Sequence, residues 1–218
     1  MPYTGDVTVG GPPDVRETPK LTITKVATPP FENNCYLLRC TATGSTLLVD
    51  AAGDAPQLLS LVGDGTLVGI AETHGHWDHV QALAEVKQAT GAPVLVHPGD
   101  ADDLPVPADQ LLQDGETVHV GECNLTVIHL DGHTPGSIAL LYEGDPERPH
   151  LFSGDSLFPG GAGNTDKDPE RFGHLIDDLE RKVFGPLPDA TWVYPGHGRD
   201  TTLGDERPSL PLWRERGW

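Results

Sequence analysis

Thr73-His74-Gly75-His76-Trp77-Asp78-His79 is the stretch that decides how this chain folds, because it places three imidazoles and a carboxylate directly after an apolar segment. That segment, residues 67–71, is a nearly continuous apolar run and predicts a short strand covered on both faces. Side chains alternate along extended backbone, so His74 and His76 point the same way and can reach one ion. Imidazole suits zinc or iron and carboxylate suits harder cations, so the stretch predicts a divalent-metal site.

A helix is predicted directly after this stretch. Residues between 80 and 87 carry apolar side chains at helical spacing, and Gly91 is a stop signal. Asp78 and His79 are therefore expected in the first helical turn, where they project at a different angle and suit a second ion. The alternative is an exposed histidine-rich turn with adventitious metal binding. The carboxylate and the imidazoles alternate at fixed spacing, and the stretch joins a strand to a helix. Both features argue against this alternative.

The other apolar patterns divide the chain into two similar halves, each a set of strands followed by a helix. Two such halves predict a pair of sheets packed face to face with helices outside, a four-layer αββα sandwich of the α/β class. The segment at residues 99–109 is rich in proline and aspartate and predicts a surface loop. The predicted helices lie at 55–62, between 80 and 91, and at 169–183, and the predicted strands lie at 21–27, 35–40, 46–49, 67–71, 92–97, from about 117, and at 125–130, 137–142, 150–152 and 191–194.

Three more candidate ligands stand where predicted strands end. His133, Asp155 and His197 each follow such a strand, and a glycine directly precedes each of them. Glycine at that place permits unusual backbone angles and a close approach of the backbone to an ion. Taken singly, each is an ordinary turn. Ligands gather beyond strand ends in sheets with helical connections, so four such exits together predict one site.

Length and charge limit the class of protein. The 218 residues suffice for one sizeable core, and we expect a single domain over 21–218 after a loosely ordered N-terminal arm over 1–20. The formal net charge of −19 opposes nucleic-acid binding and docking on an anionic membrane. Neither a membrane span nor a signal peptide is present in the sequence, so we expect a cytoplasmic protein with a small-molecule substrate. Trp213 and Trp218 are expected to dock on the body of the protein.

Four motifs in fixed order carry a resemblance to a known family. HxHxDH at 74–79, GHTPGS at 132–137, SGDSLF at 153–158 and PGHG at 195–198 resemble the metallo-β-lactamase superfamily, and within it glyoxalase II and related hydrolases. The resemblance covers about residues 21–199 and implies the same αββα fold. It also implies two metal sites, with His74, His76 and His133 in the first, Asp78, His79 and His197 in the second, and Asp155 bridging them.

The activity implied is that of a binuclear metal-dependent hydrolase. A metal-bridging hydroxide would attack a small thioester or activated ester, so no serine or cysteine nucleophile is needed. Asp78 and Asp155 are the expected catalytic carboxylates. Zinc is the expected metal, with iron or a mixed pair as alternatives. A thiolate, whose parent thiol has a pKa near ~8.5, leaves without strong acid assistance, which favours a thioester.

Departures from glyoxalase II predict that glutathione is not recognised. The loop at 160–165 lacks the basic residue usual there, and about twenty residues follow His197 where glyoxalase II has a helical extension. β-Lactam hydrolysis is disfavoured, because true β-lactamases of the superfamily usually have cysteine at the place of Asp155. The alternatives are a mononuclear iron persulfide dioxygenase using His74, His133 and Asp155, a lactone or phosphodiester hydrolase, and, with least support, a non-catalytic metal-binding domain.

Overall fold

Two β-sheets lie face to face in the computed structural model, which describes residues 3–217. Within these residues, the first sheet has seven strands in the order β1-β2-β3-β4-β5-β6-β7, the second has six in the order β15-β14-β11-β10-β9-β8, and β12 and β13 form a separate hairpin. The strands are β1 (Asp14–Glu17), β2 (Leu21–Thr28), β3 (Asn33–Cys40), β4 (Thr46–Val49), β5 (Leu67–Ala71), β6 (Val94–Val96), β7 (Gln110–Leu111), β8 (Thr117–Val120), β9 (Cys123–His129), β10 (Ile138–Tyr142), β11 (His150–Gly154), β12 (Leu157–Phe158), β13 (Gly161–Ala162), β14 (Trp192–Pro195) and β15 (Thr201–Thr202).

Helices cover the outer faces of both sheets. They are α1 (Ala55–Val62), α2 (Leu83–Thr90), α3 (Pro169–Asp178), α4 (Leu203–Glu206) and α5 (Leu210–Arg216), with 3₁₀ turns at Pro98–Asp103 and Arg207–Ser209 and a π-helical continuation of α3 at Leu179–Phe184. Asp54 caps the N-terminus of α1, and its side chain accepts a hydrogen bond from Gln57 N. Gly91 follows the last residue of α2 and has the left-handed φ of 69° that glycine adopts without strain.

The cores confirm the four-layer order. Between the sheets, Leu38 of the first sheet and Leu140 of the second belong to one buried cluster. The outer face of the first sheet packs on α1 and α2 through Leu58 and Val86, and a third cluster joins the second sheet to α3 and α5. The architecture is therefore the predicted αββα sandwich. Because the central cluster draws on both sheets, we propose that residues 21–218 form one domain.

The N-terminal arm is more ordered than expected. Asp14–Glu17 pairs antiparallel with β2 and extends the first sheet by one strand. Arg16 lies between two rings, 4.4 Å from the centroid of Tyr3 and 3.9 Å from that of Trp192. The prediction of a loose arm is therefore wrong for these residues, since an edge strand and the cation–π contacts of Arg16 hold them. Residues 1 and 2 of the predicted arm lie outside the described residues.

The start of α2 also differs from the prediction. Asp78 and His79 lie in a turn closed by a 2.9 Å hydrogen bond from His79 N to His76 O, and the helix begins four residues after His79. The reason is a tertiary contact: Ala82 N donates to the carbonyl of Ala51 at 2.9 Å rather than to a carbonyl of the helix. The backbone before α2 is therefore held by the segment that follows β4 rather than by a helical turn.

Two other expectations near the surface were tested. Trp213 is a residue of α5, is 1% exposed and packs in the core between α5 and the second sheet, as predicted. Trp218 lies outside the described residues. Residues 99–109 are not all surface loop, because the 3₁₀ turn buries Asp100 completely. No helix within residues 3–217 combines the length and apolar character needed to cross a bilayer.

Candidate metal centre

The first three predicted ligands come together from two strand exits. His74 and His76 follow β5, and His133 follows β9. Their ring centroids are 4.8 Å apart for His74 and His76, 4.8 Å for His74 and His133, and 4.6 Å for His76 and His133. One nitrogen of each ring lies within 4.8 Å of the others, which is the spacing of ligands around one ion.

A second group forms beside the first. Asp78, His79 and His197 also offer one ligand atom each within 4.8 Å of the others. His197 Nε2 lies 3.2 Å from His79 Nε2 and 3.5 Å from Asp78 Oδ2. The rings of His74 and His79 are 4.2 Å apart, so the two groups adjoin each other.

Asp155 lies between the two groups. Its Oδ2 is 3.7 Å from His133 Nε2 and 3.5 Å from His197 Nε2, and its Oδ1 is 3.5 Å from His79 Nε2. The approach of these chains depends on Gly196, where an added Cβ would lie 2.1 Å from Asp155 Oδ1. Glycine before His197 is therefore required by space, as the sequence suggested for these exits.

Buried atoms without partners show that the group fits metal ions. His74 Nε2, His133 Nε2 and Asp155 Oδ1 are buried and have no hydrogen-bond partner. Buried polar atoms are almost always satisfied, so three such atoms facing one space call for a ligand. Imidazole nitrogens with carboxylates are donors that zinc and iron accept. The residues present thus fit the predicted pair of divalent ions.

In four of the histidines, the ring nitrogen that faces away from the centre, Nδ1, has a hydrogen-bond partner. This contact fixes the ring so that Nε2 faces inward. The contacts are His74 with Thr73 Oγ1 at 3.1 Å, His79 with Asp50 Oδ2 at 2.9 Å, His133 with Asn164 O at 2.7 Å and His197 with Phe31 O at 3.1 Å.

Burial sets the protonation of the first group. Desolvation lowers the pKa of His74 and of His133 below the ordinary value, so both rings are neutral. Neutral imidazole is the form that binds metal. Burial opposes the ionisation of Asp155, but the surrounding imidazoles, His79 foremost, outweigh it and hold the pKa of Asp155 low. Asp155 is therefore an ionised carboxylate, and together with Asp50 it raises the pKa of His79 in return.

Asp50 is a functional residue that the sequence analysis missed. It accepts hydrogen bonds from Thr73 N at 2.7 Å, Thr73 Oγ1 at 2.8 Å and His79 Nδ1 at 2.9 Å. Although it lies near His74 and His79, its oxygens are used by these donors, so it orients ligands. The available signal was its place directly after β4, which runs parallel to β5 with Val49 opposite Ala71.

Asn33 is a second missed residue. Its Nδ2 donates to Asp78 Oδ2 at 2.9 Å and lies 3.4 Å from His197 Nε2. Asn33 also forms an isolated antiparallel bridge with His197. Asn33 therefore joins the start of β3 to both the carboxylate and the imidazole of the second group. These partners are too far apart in the sequence for a local pattern to reveal them.

An exposed aromatic pair borders the centre. Phe31 and Trp77 are 57% and 61% exposed, and their rings meet edge to face at 5.6 Å. Trp77 stands between two predicted ligands, and the Phe31 carbonyl holds His197. The ring of Phe158 lies 6.4 Å from that of His197. Large exposed aromatic rings beside a polar centre form a surface for an apolar group.

Comparison with known proteins agrees with this geometry. A family model described as the metallo-beta-lactamase superfamily matches residues 28–197. The hydroxyacylglutathione hydrolase GloC of Haemophilus influenzae is 31% identical over 202 residues, which cover 84% of this chain and 93% of that protein. A hydroxyacylglutathione hydrolase of Rhodospirillum rubrum is 35% identical over 167 residues, which cover 76% of this chain but 62% of that protein.

Among solved structures, one described as TTHA1623 in a di-iron-bound form superimposes with a TM-score of 0.70 and 33% identity. The match covers 86% of this chain and 98% of the other. The residues that the family model matches, 28–197, include all seven predicted ligands. The additional length of the R. rubrum protein has no counterpart in the match.

Proposed function

The chain belongs to the metallo-beta-lactamase superfamily and is a metal-dependent hydrolase, and we propose that it uses two divalent ions to hydrolyse a small thioester or similarly activated ester. The observation that carries the proposal is the convergence of two three-residue ligand groups on the shared carboxylate Asp155. The buried, unpartnered atoms at this place support it.

Each predicted ligand has a role in this proposal. His74, His76 and His133 would hold the first ion, and Asp78, His79 and His197 the second, with Asp155 shared. Divalent ions in such a site lower the pKa of water from 15.7 to roughly 7 and polarise a carbonyl oxygen. We propose zinc as the metal, and the di-iron form of the similar structure makes iron the first alternative to test.

The charge of the centre favours developing negative charge on a substrate. Two divalent ions bring four positive charges, of which the carboxylates Asp78 and Asp155 cancel two, because histidine binds a metal ion as a neutral donor. The centre therefore stays positive within a chain whose formal net charge is −19. Such a centre stabilises the oxyanion that forms when the carbonyl of an ester or thioester is attacked.

The leaving group distinguishes thioesters from amides. Hydrolysis breaks the C–S bond, forms a carboxylate and releases the thiol sulfur as a thiolate, whose parent pKa near ~8.5 makes an acid unnecessary. The polar side chains of the centre are engaged as ligands or hold ligands. The aromatic rings of Phe31 and Trp77 offer an apolar surface for the acyl or thiol part of the substrate.

We propose further that the glutathione moiety is not required. The hairpin after Asp155, residues 157–165, contains neither lysine nor arginine to pair with a peptide carboxylate. Arg216 of α5 approaches Gly161 of this hairpin, within 3.5 Å of where a Cβ would stand. Arg216→Ala is therefore the variant that tests any dependence on glutathione. We also propose a cytoplasmic location.

The test combines metal analysis with a substrate panel. Protein loaded separately with zinc and with iron is assayed for bound ions per chain, and for hydrolysis of a glutathione thioester and a simple thioester of the same acyl group. A lactone, a phosphodiester and a persulfide complete the panel, the last with an oxygen electrode. We expect two ions per chain and similar kcat/KM for both thioesters.

Other outcomes would refute distinct parts. One ion per chain with oxygen uptake on the persulfide would replace the hydrolase by an iron dioxygenase. A strong preference for the glutathione thioester that Arg216→Ala abolishes would return the protein to glyoxalase II in its full sense. Faster lactone or phosphodiester cleavage would keep the metals and change the substrate class.

A further inference from the structure

A buried carboxylate outside the motifs lies directly behind the first ligand group. Asp100 is 0% exposed and belongs to the 3₁₀ turn Pro98–Asp103 that follows β6. Its Oδ2 accepts from Gly75 N at 2.8 Å and from Thr134 Oγ1 at 2.6 Å, and its Oδ1 accepts from Gly136 N at 2.7 Å. Three donors thus converge on one carboxylate in a water-excluded place.

These donors belong to the two loops that supply the first ligand group. Gly75 stands between His74 and His76, whereas Thr134 and Gly136 follow His133. The two loops follow strands of different sheets, so Asp100 joins the loop after β5 to the loop after β9. A further bond from Ile138 N to Thr73 O, at 2.8 Å, joins the same exits from the side of the strands.

Close packing explains the glycines in these loops. A Cβ at Gly75 would lie 2.8 Å from Asp103 Cβ and 3.1 Å from the Asp100 carbonyl oxygen. A Cβ at Gly136 would lie 2.6 Å from Asp100 Oδ1 and 2.5 Å from Asp100 N. The loops can therefore reach the carboxylate only because both positions lack a side chain.

We propose that Asp100 is a positioning residue that sets the spacing of the three histidines of the first metal site. The inference rests on the proposed function, since it assumes that His74, His76 and His133 bind an ion. The carboxylate holds Gly75 and Thr134 through a single oxygen atom, so the loops cannot move apart without breaking a charge-assisted hydrogen bond. Partners of this kind commonly change metal affinity by about 10- to 100-fold when removed.

Asp100→Asn is the direct perturbation. Asparagine keeps the shape but has one acceptor oxygen, and its amide N–H groups face either Gly136 N or the Gly75 and Thr134 donors. At least one donor is left buried without an acceptor. Asp102→Asn is the matched control, because Asp102 is an exposed aspartate on the same 3₁₀ turn. Thr134→Val is a milder variant that removes one of the three bonds.

Single-site backgrounds separate the two ions. Zinc affinity is measured by competition with a chromophoric chelator in His79→Ala, where the remaining tight site is the first, and in His76→Ala, where it is the second. Adding Asp100→Asn should weaken zinc binding about 10- to 100-fold in the first background and by less than about threefold in the second. Asp102→Asn should change neither. Far-ultraviolet circular dichroism of each apoprotein reports whether the fold is retained.

The outcomes separate this inference from the proposed function. Wild-type protein that binds fewer than two ions would refute the proposed function before Asp100 is considered. Two ions in wild type with equal losses at both sites, or with no loss at the first, would overturn the positioning role. If Asp100→Asn does not fold, Thr134→Val decides, and it must lower first-site affinity selectively for the inference to stand.

Discussion

Replacing Lys25 by methionine tests a fully buried charge outside the metal centre. Lys25 Nζ donates to the carbonyls of Gly5 and Gly198, each at 2.8 Å, and to Asp200 Oδ1 at 2.6 Å, which uses all its N–H bonds. The side chains of Lys25 and Asp200 are 0% and 1% exposed. The contact with Gly198 fixes the residue next to His197, so this pair supports the loop of the second ligand group.

The cost of Lys25→Met comes from the groups left behind. Asp200 keeps hydrogen bonds from the Tyr3 hydroxyl at 2.6 Å and the Trp192 indole at 2.8 Å, but it loses its counter-charge. Removing one partner of a buried ion pair costs about 3–5 kcal/mol. The total stability of a domain is roughly 5–15 kcal/mol. We therefore expect Lys25→Met to lower the free energy of unfolding by about 3–5 kcal/mol at pH 8.

This cost should depend on pH, because the stranded carboxyl can bind a proton. Burial raises the pKa of Asp200 above its ordinary value, and Lys25 opposes that rise, so the variant's Asp200 has a still higher pKa. A carboxyl whose pKa is raised on folding contributes stability below its unfolded pKa and loses it as pH rises through the folded pKa. The destabilisation should therefore be smaller at pH 5 than at pH 8.

Urea unfolding followed by circular dichroism measures this prediction. The experiment is run with chelator, so that metal binding does not add to stability, at pH 5 and pH 8. Lys20→Met, at an exposed lysine nearby in sequence, should change stability by less than about 0.5 kcal/mol. The double variant Lys25→Met with Asp200→Asn should recover part of the loss, since no charge stays buried. A cost under about 1 kcal/mol at pH 8, or no recovery in the double variant, would refute the reasoning.

Three further predictions concern the centre and its surface. Asp50→Asn should lower second-site metal affinity by about 10- to 100-fold, because Asp50 holds His79 Nδ1, and equilibrium dialysis that finds wild-type affinity would disprove this. Trp77→Ala should raise KM for a long-chain acyl thioester about five- to tenfold, or about 1 kcal/mol, and leave an acetyl thioester nearly unchanged; equal effects on both would remove Trp77 from the substrate surface. His133→Ala should keep the circular dichroism spectrum of the folded protein while turnover falls by more than about 100-fold, and an unfolded chain would instead indicate a structural metal.

Local periodicity was enough to place most of the elements. The predicted strand at 67–71 and helix at 55–62 have the bounds found in the structure, because apolar pattern and turn residues agree there. The start of α2 could not be predicted in this way. Its first turn is displaced by the bond from Ala82 N to Ala51 O, whose partners are 31 residues apart in the sequence. Tertiary contacts of this kind override helical spacing.

The candidate ligands could be found from sequence because each stands in a short motif at a strand exit. The residues that hold them could not, since their partners are distant in the chain. Asp100 lies 34 residues from Thr134, and Lys25 lies 175 residues from Asp200. Asp100 was also difficult to identify because the proline and aspartate content of its segment indicates a surface loop. Only the packing of the two sheets brings these pairs of side chains together.

The two ligand groups depend on different parts of the fold, and this separates the effects of the variants. The first group is tied together by Asp100, between the exits of β5 and β9. The second depends on Asp50 after β4, on the Phe31 carbonyl, and on the buried Lys25 that links Gly198 to the N-terminal arm. Asp100 and Lys25 have no contact in common, so a change at Asp100 should weaken mainly the first ion and a change at Lys25 mainly the second. Asp155, which faces both groups, and Asp50, which also binds the Thr73 hydroxyl beside His74 Nδ1, should affect the two together.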